Sequence, residues 1–361
     1  GQSVLTLSRS TLGESGARLS GAAYALIHYA LLVAYIAQGG ALLGEAFPSL
    51  SSLPVSPEFA GSVLFTSMVG GGIFFGKPKQ IENVNNIFVL GVISSFALLV
   101  FLGSRAVSPE LLTDRANFGT VVGALPTMLV SLVYHNVVPS ICAQLEGDLD
   151  KIRRAIVYGT LIPLTMFLVW NAIILGVVDP SNVKDGVGEF VDPLQILRND
   201  PRTGGPLFSK AISSFSELAI ITSFLGFVIG LRDFYKDILR GVQDDSGRES
   251  ESEMAPSSTN PKDDNDAAIF ALILLPPLVA SQLNPSIFFS AIDIAGTFGV
   301  SVLFGILPAW MAWIQRYGQV EDKLATLPVL PGGQTTLTVM IGFASSLIVL
   351  ELLEKLSIIH I

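Results

Sequence analysis

A chain of 361 residues that is 50% hydrophobic and only 14% charged, with a mean hydropathy of +0.60, lies far from the roughly 25% charged content of soluble domains and reads as a polytopic membrane protein. Its formal charge of −9 comes largely from one acidic loop and gives no basis for nucleic-acid binding. Cys142 is the only cysteine, which excludes disulfides within the chain. His28, His135 and His360 lie on separate elements without metal-ligand spacing, so neither a metal nor a cofactor is expected.

A span needs roughly 20 mostly apolar residues. Nine stretches meet or approach this: 19–43, 59–76, 87–103, 121–145, 154–178, 206–231, 267–283, 287–313 and 337–353. The first 18 residues lack the Met, basic patch and apolar core of a signal peptide, and the abrupt start at Gly1 reads as a trimmed front. The first span carries Tyr24, His28, Tyr29, Tyr35 and Gln38 at helical spacing, a polar stripe that predicts helix–helix packing. The second ends in Gly70, Gly71, Gly72 and Gly76, small residues that predict a close-packing surface or a hinge.

The fourth span, 121–145, is interrupted by Tyr134-His135-Asn136-Val137-Val138-Pro139-Ser140. Pro139 has no N–H for the carbonyl of His135, four residues back. An unpaired acceptor in hydrocarbon costs several kcal/mol unless protein or a wet cavity satisfies it. Two readings compete: a plain proline kink, or a broken helix that forms a site. The adjacent His-Asn pair favours the site, because polar side chains at that depth carry a further cost.

Beyond it, Asp148 to Arg154 reads as a helix start with acids first and bases later. The Pro-, Gly- and Asp-rich loop 179–202 is expected outside the membrane. The span 206–231 holds Glu217, Thr222 and Ser223. A carboxylate there costs roughly 2.5–3.5 kcal/mol on insertion scales and predicts a cavity or partner. The two hydroxyls either line an ion path or bond back to their own helix. Residues 240–266 have the composition of a disordered acidic linker. Asp293 is a second intramembrane carboxylate, and Trp310, Trp313 and Tyr317 form an interfacial belt with Arg316.

With nine crossings, 14 of the 21 Lys and Arg residues fall on the side of the N-terminus, which the positive-inside rule makes cytoplasmic, stromal or matrix. No paired aspartates, zinc motif or Ser/Lys dyad occurs in the spans, so enzyme chemistry is not expected.

The stretches LPTMLVSLVYHNVVPSI, GTLIPLTMFLVWNAIILG, SELAIITSFLGFVIGLRDFYKDIL, FTSMVGGGIFFG and ILPAWMAW together resemble the aromatic amino acid permeases, the tyrosine- and tryptophan-specific transport proteins. The acidic linker and HYALLVAYIAQGG are more similar to plant, plastid-directed members. The resemblance implies an all-α, leucine-transporter-type bundle of eleven helices with two inverted repeats. The nine spans fit helices three to eleven, with the first two missing from an N-terminally incomplete chain. It also implies proton-coupled symport of an aromatic amino acid with alternating access around the broken helix, with proton rather than sodium as coupling ion.

On that reading Tyr134, His135, Asn136 and Ser140 contact substrate, and Thr222, Ser223 and Glu217 serve the coupling ion. Lipid is the other partner. The membrane would be the plastid inner envelope in a plant and the plasma membrane otherwise. The alternative is a truncated, non-transporting protein that packs with or regulates a full-length homologue.

Overall fold

The computed structural model describes residues 4–113, 121–134, 137–179, 193–203, 205–245, 264–283, 287–318 and 332–356, and every regular element among them is helical. The main helices are α1 (Val4–Ala46), α2 (Pro57–Phe75), α3 (Pro78–Gly103), α4 (Val121–Ser131), α5 (Val138–Gln144), α6 (Leu149–Val177), α7 (Pro206–Asp245), α8 (Asp264–Ala280), α9 (Ile287–Tyr317) and α10 (Gly333–Lys355). Among the described residues seven are long and apolar enough to cross a membrane: α1, α2, α3, α6, α7, α9 and α10. The other two expected spans fall on the shorter α8 and on the half-helices α4 and α5. Many large apolar side chains point outward, Ile87, Leu90, Ile162 and Val279 among them. In water such a surface would be a liability. Against lipid tails it costs nothing, because the solvent is as apolar as the side chains.

Several helix ends differ from the sequence reading. α1 begins at Val4, well before residue 19, with a break at Gly13, whose φ of 69° suits a residue without Cβ. The front piece is anchored by Ser8, which is fully buried and donates from Oγ to Met311 Sδ at 3.6 Å. The expected linker is helical at both ends: α7 runs on to Asp245, and α8 already starts at Asp264. Residues 246–263 lie outside the described residues. The early start of α8 has a cause in charge. Asp266 binds Lys236 Nζ at 2.7 Å and Arg232 Nη2 at 3.0 Å, so the first turn of α8 is held by two cations of α7.

The chain forms two compact units, one comprising residues 1–27, 94–214 and 292–361, the other residues 28–93 and 215–291. In the first, α9 contacts both α4 and α10. From Ala295 to Ile306 α9 is widened into π-type turns. There Gly296 lies so close to the Pro126 carbonyl of α4 that a Cβ would overlap it, and a Cβ on Gly305 would meet Ala344 of α10 at 2.6 Å. Asp148 caps α6 by accepting from the Asp150 and Lys151 N–H groups, both at 3.1 Å, the charged helix start expected from sequence.

In the second unit, the Ser62 hydroxyl of α2 donates to the Ile36 carbonyl of α1 at 3.3 Å, and a Cβ on Gly61 would overlap the Gly40 carbonyl. Without a hydrophobic drive between helices in lipid, such small-residue approaches supply the van der Waals contact that holds them. Phe65 and Phe224, both almost fully buried, meet edge to face at 5.1 Å. The polar stripe of α1 does pack against neighbouring helices. The Tyr29 and Tyr235 hydroxyls lie 2.9 Å apart, Tyr29 Oη also donates to the Leu272 carbonyl at 2.9 Å, and buried His28 sets its ring at 4.9 Å from Phe227.

Candidate functional site

The interruption expected inside 121–145 lies between Ser131 and Val138. α4 ends by tightening, with the Leu132 N–H bonded to the Leu129 carbonyl at 3.3 Å and Val133 N–H to the Val130 carbonyl at 3.2 Å. These are contacts three residues apart, the pattern of a helix running out of its regular turns. Val133 and Tyr134 are non-helical, and Val137 N–H returns to the Tyr134 carbonyl at 3.1 Å before α5 starts at Val138.

The His135 carbonyl that Pro139 cannot serve lies outside the described residues, and Pro139 itself has a local role in α5. It sits in the first turn of α5, where an N–H would have had no partner in any case. It starts the second half-helix. α5 closes with Leu145 N–H on the Ile141 carbonyl at 2.9 Å and a turn through Glu146 (φ 53°) and Gly147 (φ 75°) that leads directly into the Asp148 cap.

Half-buried Tyr134 lines a partly open cavity of about 240 Å³ with Val137, Val138 and Ile141 on its own side and Ala155, Ile156 and Gly159 of α6 opposite. This is somewhat below the roughly 300–1,000 Å³ of common ligand pockets. Its lining is apolar apart from the phenol. Of the other residues expected at this point, His135 and Asn136 lie outside the described residues. Ser140 belongs to the first turn of α5, its side chain also outside them.

The second group lies on α7, in the other unit. Thr222 Oγ1 donates to the Leu218 carbonyl at 2.9 Å and approaches the Ala219 carbonyl at 3.0 Å. Its donor is used within the helix, and the oxygen retains acceptor capacity. Ser223 hydrogen-bonds the Tyr35 side chain of α1. Half-buried Glu217 is five residues before Thr222, which at 3.6 residues per turn places it about 140° away around the axis. On the same count Ser223 lies about 100° from Thr222 and Glu217 about 120° from Ser223, so α7 sends the three side chains in different directions.

Sequence reasoning missed the charged cluster at the far end of α7. In the sequence Arg232 and Lys236 are two of the 14 cations on the N-terminal side and Asp266 ends the acidic linker, yet the three form one network, with Arg232 also 5.7 Å from the centroid of the Phe270 ring. The Asp266 side chain is 18% exposed, and the hydrogen bond from Lys236, followed by that from Arg232, holds its carboxyl below the usual carboxylate range. A signal was present in the spacing, since residues 232 and 236 share a helix face.

The sequence profile of the tryptophan/tyrosine permease family matches residues 1–350. The chain belongs to that family. Relatives in it include tyrosine-specific transport system 2 of Haemophilus influenzae, 29% identical over 364 residues covering 96% of this chain and 80% of the relative. The tryptophan-specific transport protein of Pseudomonas aeruginosa is 27% identical over 327 residues, covering 88% and 72%. Glutamine transporter 2 of Aliivibrio fischeri is 25% identical over 245 residues, covering 65% and 60%. As a permease-family member with seven apolar helices of spanning length, this is an integral multi-pass membrane protein and not an enzyme.

Proposed function

We propose that this permease is a secondary transporter that carries tyrosine- or tryptophan-like amino acids across its membrane by proton symport, with alternating access around the break between α4 and α5. The observation that carries the reading is that break. An apolar stretch of spanning length stops at Ser131 and resumes at Val138, and irregular backbone at membrane depth is tolerated only where protein or a wet cavity satisfies it. The end of a helix leaves carbonyls without intrahelical donors, and the start of the next leaves N–H groups without acceptors. An amino acid is complementary to both, through its ammonium and its carboxylate.

In this reading Tyr134, His135, Asn136 and Ser140 contact the substrate. Thr222 and Ser223 offer hydroxyl oxygens to the coupling proton, and His135 or Glu217 exchanges it during the cycle. The names of the Haemophilus and Pseudomonas relatives support an aromatic substrate. The glutamine-named relative makes specificity the first thing to measure.

The test reconstitutes the full chain in proteoliposomes and follows radiolabelled L-tyrosine and L-tryptophan under an inward proton gradient. We expect saturable uptake that collapses with a protonophore. His135→Ala should lower it at least about tenfold, the worth of one substrate hydrogen bond of about 1.4 kcal/mol. Unchanged uptake and pH dependence in His135→Ala would remove that residue from the mechanism. Uptake of neither amino acid under any gradient would overturn the reading as a whole.

A further inference from the structure

Two cavities in the unit of residues 28–93 and 215–291 adjoin each other and differ in chemistry. The first, about 260 Å³, is lined by Glu82 and Asn85 of α3 and by Thr222 and Arg232 of α7. The second, about 300 Å³, is lined by Met68, Val84, Phe88 and Ile221 and is almost wholly apolar. Ile81 and Leu225 line both and form the shared wall. Each chamber lies near the lower end of common small-molecule pockets, roughly 300–1,000 Å³.

The charges of the first chamber are not used up. Asp266 serves both Lys236 and Arg232, so one carboxylate faces two cations. Arg232 spends Nη2 on Asp266, while its Nε is buried and has no acceptor among the described residues. A buried guanidinium donor without a partner is unfavourable and calls for an acceptor. Glu82, exposed, takes part in no ion pair among the described residues. One end of the composite site thus presents a cation with a spare donor and an anion with spare lone pairs, and the other end is apolar.

We infer that the paired chambers form a second ligand site, apart from the broken helix, that takes an amino acid with an apolar or aromatic side chain. Its carboxylate meets Arg232, its ammonium meets Glu82, and its side chain passes Ile81 and Leu225 into the apolar chamber. An anionic amphiphile fits worse, because Glu82 repels it. A pure hydrocarbon leaves Arg232 Nε and Glu82 unanswered. The identity of the ligand class rests on the transport reading given above, and occupancy here would let substrate on one side of the membrane modulate the carrier.

The experiment measures equilibrium binding of radiolabelled L-tryptophan to the purified chain in detergent, by scintillation proximity, for wild type, Ile81→Trp, Glu82→Gln and Tyr134→Ala. We expect two molecules per chain in wild type. Ile81→Trp, which fills the shared wall, should reduce this to one with unchanged affinity at the remaining site. Glu82→Gln, at an exposed position that does not threaten folding, should weaken one site at least tenfold and leave the other intact.

A single wild-type site lost in Tyr134→Ala and kept in Ile81→Trp overturns this inference and leaves the transport reading standing. A phospholipid that co-purifies with wild type and is lost in Ile81→Trp, with tryptophan stoichiometry unchanged, also overturns it. No binding in wild type overturns both.

Discussion

Replacing Asp266 by Asn keeps the size of the side chain and removes the charge that joins α7 to α8. At an effective dielectric of about 20, opposite unit charges about 3 Å apart gain roughly 5 kcal/mol before desolvation. Asp266 has two such partners, at 2.7 and 3.0 Å, with side chains of Arg232, Lys236 and Asp266 only 30, 29 and 18% exposed. Desolvation offsets much of that gain, but loss of the anion leaves two half-buried cations facing each other, and breaking buried pairs costs about 3–5 kcal/mol. Because these groups keep some contact with solvent, we expect a loss of about 2–3 kcal/mol.

The assay is thermal unfolding of the detergent-purified protein, followed by fluorescence-detected size exclusion. Asp266→Asn should melt several degrees lower at pH 7. The pH dependence follows from the sign of the shift. The folded carboxyl lies below its unfolded value of about 3.9, so its contribution is complete above that value and is lost as pH falls through the lower, folded value. The gap between parent and variant should therefore narrow below about pH 4. A variant that melts with the parent at pH 7, or a gap that stays constant down to pH 3, would refute the network's role.

Three further outcomes follow from the packing. Gly61→Leu forces a side chain into the Gly40 carbonyl and should cost at least about 2 kcal/mol, seen as a lower melting temperature and poor recovery of monodisperse protein. Tyr29→Phe removes a hydroxyl that bonds Tyr235 and the Leu272 carbonyl and should cost about 1–2 kcal/mol, without aggregation, in the same assay. Pro139→Ala, in the first turn of α5, should change the melting temperature by less than the equivalent of about 1 kcal/mol. A large loss there would mean that the proline itself maintains the break.

The elements that were legible in the sequence are those whose signal is local. Apolar length marks α3, α6 and α10, since each is long and faces lipid, and the acidic-then-basic run at 148–154 marks the cap of α6 by Asp148. What stayed hidden depends on partners far away in the chain. The helix of residues 4–12 carries Arg9, Ser8 and Ser10 and reads as a tail until Met311 is seen to receive the Ser8 hydroxyl. Asp266 looks like one acid among ten in an acidic stretch until Arg232 and Lys236, some thirty residues earlier, claim it.

Thr222 shows the same limit from the other direction. Two readings of its hydroxyl were open from sequence, and the geometry realises the helix-bonded one. That leaves the oxygen as an acceptor only. A proton on a neighbouring donor could be received there, but Thr222 could not pass on a proton of its own without first breaking its bond to Leu218.

The break between α4 and α5 is where local and distant causes meet, and their division explains why proline alone does not mark it. The half-helix α4 is fixed from outside, by Gly296 of α9 pressed against the Pro126 carbonyl. The half-helix α5 is fixed from its other end, by the Glu146–Gly147 turn into the Asp148 cap. With both halves held by separate contacts, the chain leaves the regular helix at Leu132 to Tyr134, where the last N–H groups of α4 turn to carbonyls three residues back. The break then survives loss of Pro139 but not loss of its supports. Gly296→Leu should shift α4 and impair transport while leaving the α5–α6 turn intact, whereas a break that persisted unaltered in Gly296→Leu would place its origin in the residues of the gap themselves.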